Sequence, residues 1–173
     1  MKTFQLATAL TLAGSATASS TFAPNGTALK GRTFLGPCKI TVCLAGAGPT
    51  WPGKSWPKCT VGQYTLANIS FDATCSDCNT TWGATYEDSF FNQLAKGTDL
   101  STSFEQGHYD APTHYSASQH APRGIGGSSA KIDATIDPKT SLLTGTASYN
   151  DQGDGPGAGA SFDYSCSFLA AEQ

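Results

Sequence analysis

Three histidines stand six residues apart, His108, His114 and His120, with Asp110 beside the first. Imidazoles and a carboxylate are the usual ligands of zinc or copper, so this stretch is a candidate metal site. Even spacing would put all three rings on one face of a strand. Pro112 interrupts any such strand, and residues 98–129 read as an irregular polar loop, for which a solvated surface is the plainer expectation. The stretch WPGKSWP offers a different chemistry. Trp51 and Trp56 each precede a proline, which holds the residue before it extended. Flat indoles on a stiffened loop suit stacking on sugar rings or on a partner's side chain. The competing expectation is that both rings fold inward and cover the core.

Other chemistry is thinner. In NDQGDGPGAG, Asp151 and Asp154 suggest calcium, but with Gly155 at the sixth place Gln152 falls at the third and Ser161 at the twelfth, so the EF-hand pattern fails. A glycine-rich hairpin loop is expected there. The chain has no G-x-S-x-G elbow and no H-E-x-x-H. Its 13 acidic residues are scattered, and they single out no pair for glycoside hydrolysis. Glu87 and Asp88 fit the first turn of a helix, where acids favour the dipole. No catalytic residue is assigned, and the reading leans away from an enzyme.

Cys75 and Cys78 form a C-x-x-C whose meaning depends on the compartment. Residues 1–18, MKTFQLATALTLAGSATA, have one early lysine, a short apolar run and a small-x-small end, the layout of a secretory signal peptide. The apolar run is about half the roughly 20 residues needed to span a bilayer. The mature chain of about 155 residues then carries 9 basic residues against 13 acidic ones, a net charge near −4. This argues against a nucleic-acid partner, which needs a basic face, and no stretch predicts membrane insertion. Sequons at Asn25, Asn68 and Asn79 fit a secreted glycoprotein. The six cysteines, Cys38, Cys43, Cys59, Cys75, Cys78 and Cys166, then read as three disulfides rather than as a redox or zinc motif.

The elements that must position these groups are mostly strands. Residues 1–18 are the leader, 19–37 a polar arm, and 38–173 one β-rich, disulfide-stabilised domain. CKITVC is a short strand. From Gln63 onward, Thr65, Ala67, Ile69, Phe71, Ala73 and Cys75 alternate with polar residues, predicting a half-buried strand. Thr85 and Asp88 make a weak capping box for one helix over about 86–96, with Tyr86, Phe90, Phe91 and Leu94 on one face. Strict alternation predicts strands at 130–136, 142–149 and 161–168, with a proline turn at 137–140. The expected fold is mainly β: an antiparallel sandwich or small barrel with one short helix. The register pairs Cys75 with Cys166, and Cys78 with one of Cys38, Cys43 or Cys59.

With its leader, length, low charge, six cysteines and strand content, the chain resembles the small secreted cysteine-containing proteins of filamentous fungi, a grouping of effectors, elicitors and allergens. CSDCNTTW followed by FEQGHYD is also similar to the C-terminal part of the cytochrome domain of fungal cellobiose dehydrogenases. There a C-x-x-C precedes Trp and a later Gln-His region supplies a haem ligand, which would make His108 the matching residue. The family's other ligand is methionine, and Met1 is the only one here, so no Met/His haem and no cofactor are expected. The function these readings imply is non-enzymatic binding to an extracellular protein or cell-wall polysaccharide, as an effector or elicitor in the extracellular space or host apoplast. The alternatives are a carbohydrate-binding module using Trp51 and Trp56, and a small extracellular enzyme or metalloprotein using the His108–His120 stretch.

Overall fold

A computed structural model describes residues 29–46, 56–74, 81–96, 100, 103–111, 113–123, 126–152 and 161–173. Eight antiparallel strands close into a barrel: β1 (Thr33–Ala45), β2 (Tyr64–Phe71), β3 (Thr81–Glu87), β4 (Ser103–Ala111), β5 (His114–Arg123), β6 (Gly126–Ile136), β7 (Leu142–Gln152) and β8 (Ser161–Glu172). Each strand pairs with the next in sequence, and β1 also pairs with β8. The expected small barrel is therefore the architecture, and the sandwich is not. A helix, α1 (Phe91–Ala95), lies between β3 and β4.

The strands close because their inward residues alternate large and small, as a narrow barrel demands. One row around β5–β8 is Tyr115, Ala134, Gly145 and Phe168; the next is Ala117, Ile132, Ala147 and Cys166; the next is Gln119, Ala130, Tyr149 and Tyr164. An eight-stranded barrel is just wide enough for its side chains to fill it. Small residues also set how close the strands come. A Cβ on Gly36 of β1 would lie 2.1 Å from the Leu169 carbonyl oxygen of β8, so only glycine fits at the seam. The inward Cys38 and Cys166 form a disulfide across that seam, with Cα atoms 5.7 Å apart. Arg32 clamps the strand ends through Nε to Glu172 Oε1 at 2.6 Å, and this bonding holds the Glu172 carboxyl below its usual range.

Several expectations need correction. Cys166 pairs with Cys38, not Cys75, because β8 lies beside β1 rather than β2. The second disulfide is Cys43–Cys59; Cys75 and Cys78 lie outside the described residues. β1 begins at Thr33, inside the stretch read as an arm. The helix is only Phe91–Ala95, because Trp82, Ala84 and Tyr86 are two-residue inward steps of β3. The stretch read as a polar loop holds β4 and β5, whose inward positions include small residues such as Gly107, Ala117 and Ala121.

Candidate functional site

One end of the barrel carries the C-terminal ends of β1, β3, β5 and β7, the start of β8 and the helix α1. Two carboxylates are buried there, Asp88 and Asp151. Both follow a tyrosine by two residues, as Tyr86-Glu87-Asp88 and Tyr149-Asn150-Asp151. In each case the tyrosine hydroxyl donates to the aspartate, at 2.6 Å to Asp88 Oδ2 and 3.1 Å to Asp151 Oδ2.

Asp88 is saturated. Its Oδ1 accepts the backbone N–H groups of Phe90 and Phe91, both at 2.7 Å, which starts α1. Its Oδ2 accepts Tyr86 at 2.6 Å and Tyr164 at 2.7 Å. Burial, reinforced by the Asp88 charge, raises the pKa of both phenols, so both stay protonated donors. Tyr86 also lies 2.9 Å from Cys166 Sγ, which ties the cluster to the seam disulfide. Four donors compensate the burial of this carboxylate, and its role is structural.

Asp151 is different. It belongs to the outermost inward row, Ala121, Ser128, Asp151 and Phe162 on β5 to β8. It is 9% exposed, and Ser128 is 0% exposed. Among the described residues the Ser128 hydroxyl has no hydrogen-bond partner, and neither does Gln119 Oε1 one row deeper. Trp56 packs on Phe162 with ring centroids 5.2 Å apart, and its Nε1 is likewise buried without a partner. Most buried polar groups are paired, so the unpartnered Ser128, Gln119 and Trp56 atoms stand out among the described residues of this end.

The residues singled out from sequence fall elsewhere or only partly here. Trp56 rests half-buried against the core; Trp51 lies outside the described residues. His108 is exposed on β4, and His114 and His120 point outward from β5. Six strand residues separate His114 from His120, roughly 20 Å, so one ion cannot bind both. His114 Nε2 instead meets Asp133 Oδ2 at 3.1 Å. The side chain of Asp110 lies outside the described residues, and among those described no three potential ligands cluster for a metal. His108, on the outer wall, is displaced from the inward rows where a buried haem would have to sit. Asn68 is half-buried on β2, its Nδ2 donating to Glu87 Oε2 at 3.3 Å. Asn25, Asn79 and Asp154 lie outside the described residues.

Sequence reasoning missed Ser128, Gln119 and Tyr149 and gave Asp88 only a helix-end role. The repeated Tyr-x-Asp at two strand ends was the available signal. No protein-family model, curated protein or solved structure matches this chain.

Proposed function

We propose that the protein is a secreted, non-enzymatic binding barrel that docks on an extracellular protein. The observation that carries this reading is an apolar row on the outer wall. Leu66 of β2 is the register partner of Pro37 of β1. The β1–β8 register places Leu169 on the other side of Pro37. Leu66 is 60% exposed, Leu169 48% and the neighbouring Tyr64 63%. A contiguous set of exposed apolar side chains supports reading this face as an interaction surface. Leucine and proline beside a single tyrosine suit a protein partner better than a sugar, which favours broad indole faces with polar flanks.

Two disulfides are compatible with an extracellular site. Among the described residues no helix is long and apolar enough to cross a membrane. The wall also runs opposite to that of a membrane barrel, with aromatics inside and mostly polar side chains outside. The effector or elicitor role is the concrete form of this proposal. The test is saturable binding to a purified extracellular protein fraction by the wild type and by Leu66→Ser/Leu169→Ser. The double variant is expected to lose binding while keeping its melting temperature. Binding to chitin or β-glucan that survives this change but is lost in Trp51→Ala/Trp56→Ala would replace the proposal with the carbohydrate-binding alternative.

A further inference from the structure

We infer that Asn68 is an N-glycosylation site whose glycan screens the outer apolar row. The inference rests on the secreted, docking reading above and deepens it, because it assigns a control to the docking face. Asn68-Ile69-Ser70 is a sequon. β2 turns Ala67, Ile69 and Phe71 into the core, so Leu66, Asn68 and Ser70 lie on its outer face. Asn68 opposes Leu35 of β1, and Leu35 opposes the exposed Ala171 of β8. Leu66, two residues earlier, opposes Pro37 in the next row, with Leu169 beyond it. Two residues along a strand span about 6.7 Å, and directly opposed Cβ atoms lie about 5 Å apart. A glycan on Asn68 therefore begins one row from Leu66 and two strands from Leu169.

The chemistry needs the amide nitrogen. Asn68 Nδ2 donates to Glu87 Oε2 at 3.3 Å on the exposed wall, which engages one of its two N–H bonds. The sugar donor is an oligosaccharide linked to a polyprenyl diphosphate. Nδ2 bonds to C1 of the first N-acetylglucosamine and gives up one proton. The C1–O bond to the diphosphate breaks, and the diphosphate leaves with the electron pair. One N–H remains for Glu87. In the folded barrel Ser70 Oγ lies 3.1 Å from Thr33 Oγ1, and β2 is paired on both sides. The sequon is therefore read before β2 is paired, while the chain is still being made. After folding, a bulky hydrated group stands over apolar side chains that would otherwise face water, among them Leu66 at 60% exposure. It weakens docking at this row without touching the barrel's interior.

The experiment uses the full chain secreted by a glycosylating eukaryotic host. Peptide mass spectrometry is expected to find the glycan on Asn68. Hydroxyl-radical footprinting then compares the glycoprotein with Asn68→Gln and with Ser70→Ala, which keeps Asn68 but breaks the sequon. Both variants should keep the barrel's circular dichroism signal. Both should show Leu66 and Leu169 oxidised about threefold faster than in the glycoprotein, as loss of a bulky surface group predicts. Binding to the extracellular protein fraction should rise severalfold in the same variants. Leucines shielded by the glycan, with no binding by any form, would sink the docking reading and leave this inference standing. The inference itself is overturned if Asn68 leaves the host unmodified, or if the glycoprotein and both variants expose Leu66 and Leu169 equally.

Discussion

Ser128 and Asp151 face each other across β6 and β7, both turned into the barrel, and no hydrogen bond joins them. Two rows deeper the inward residues are Ala117, Ile132, Ala147 and Cys166. Of the two carboxylates at this end, Asp88 is held by four donors and Asp151 by one among the described residues.

The two disulfides should differ in what they contribute. Cys38–Cys166 closes a sequence separation of 128 and Cys43–Cys59 one of 16. Loop-closure entropy then predicts losses of about 4–5 and about 3 kcal/mol respectively when each pair is replaced by alanine. Denaturant unfolding of the two double variants measures both. Equal losses, or the larger loss at Cys43–Cys59, would show that the seam is not held as described.

Gly36 is expected to tolerate no side chain. The obstruction facing an added Cβ is backbone, the Leu169 carbonyl oxygen at 2.1 Å and Ala170 Cα at 2.5 Å. Neither can rotate away, so Gly36→Ala must push β1 from β8. A loss of about 2–3 kcal/mol is predicted, in the range of overpacked cores. Thermal unfolding checks it, and a change below about 0.5 kcal/mol would refute the close approach.

Alkaline pH should unfold the protein cooperatively. Tyr86, Tyr109, Tyr115 and Tyr164 all have pKa values raised by burial above the ordinary 10.0. The unfolded chain therefore releases these protons at a lower pH than the folded one. Their contribution to stability is full below about pH 10 and falls as pH rises toward the folded values. Absorbance at 295 nm should show these phenols ionising together with loss of the barrel's circular dichroism signal. Gradual ionisation in a still-folded protein would contradict their burial.

The strands near the C-terminus were legible because one face of each is wet. Ile132, Ala134 and Ile136 are buried while Lys131, Asp133 and Thr135 are not fully so, and alternation of that kind is a local signal. β4 and β5 were not legible, since Gly107, Ala117 and Ala121 carry little hydrophobic signal and depend on neighbouring strands for their burial. Tyr86, Phe90, Phe91 and Leu94 satisfy a helical spacing, yet Tyr86 ends a strand and only Phe91 and Leu94 lie in α1. At the mouth, Asp151 stood out as an acid in a glycine-rich stretch, but its direction follows from Tyr149 two residues earlier. Ser128 had no local signal at all; its place is fixed by pairing with a strand more than twenty residues away.

The division between the two buried carboxylates is tested most directly by their amide variants. Asp88→Asn replaces the acceptor of two phenols with a donor and weakens two charge-assisted bonds to the start of α1. It should lower the unfolding free energy by at least about 2 kcal/mol. Asp151→Asn keeps an acceptor for Tyr149, the one donor that reaches Asp151 among the described residues, so stability should stay level. Urea unfolding of the two variants beside the wild type is the measurement. A loss at Asp88 with none at Asp151 is the predicted result; a loss at Asp151 as large as that at Asp88 would contradict the account.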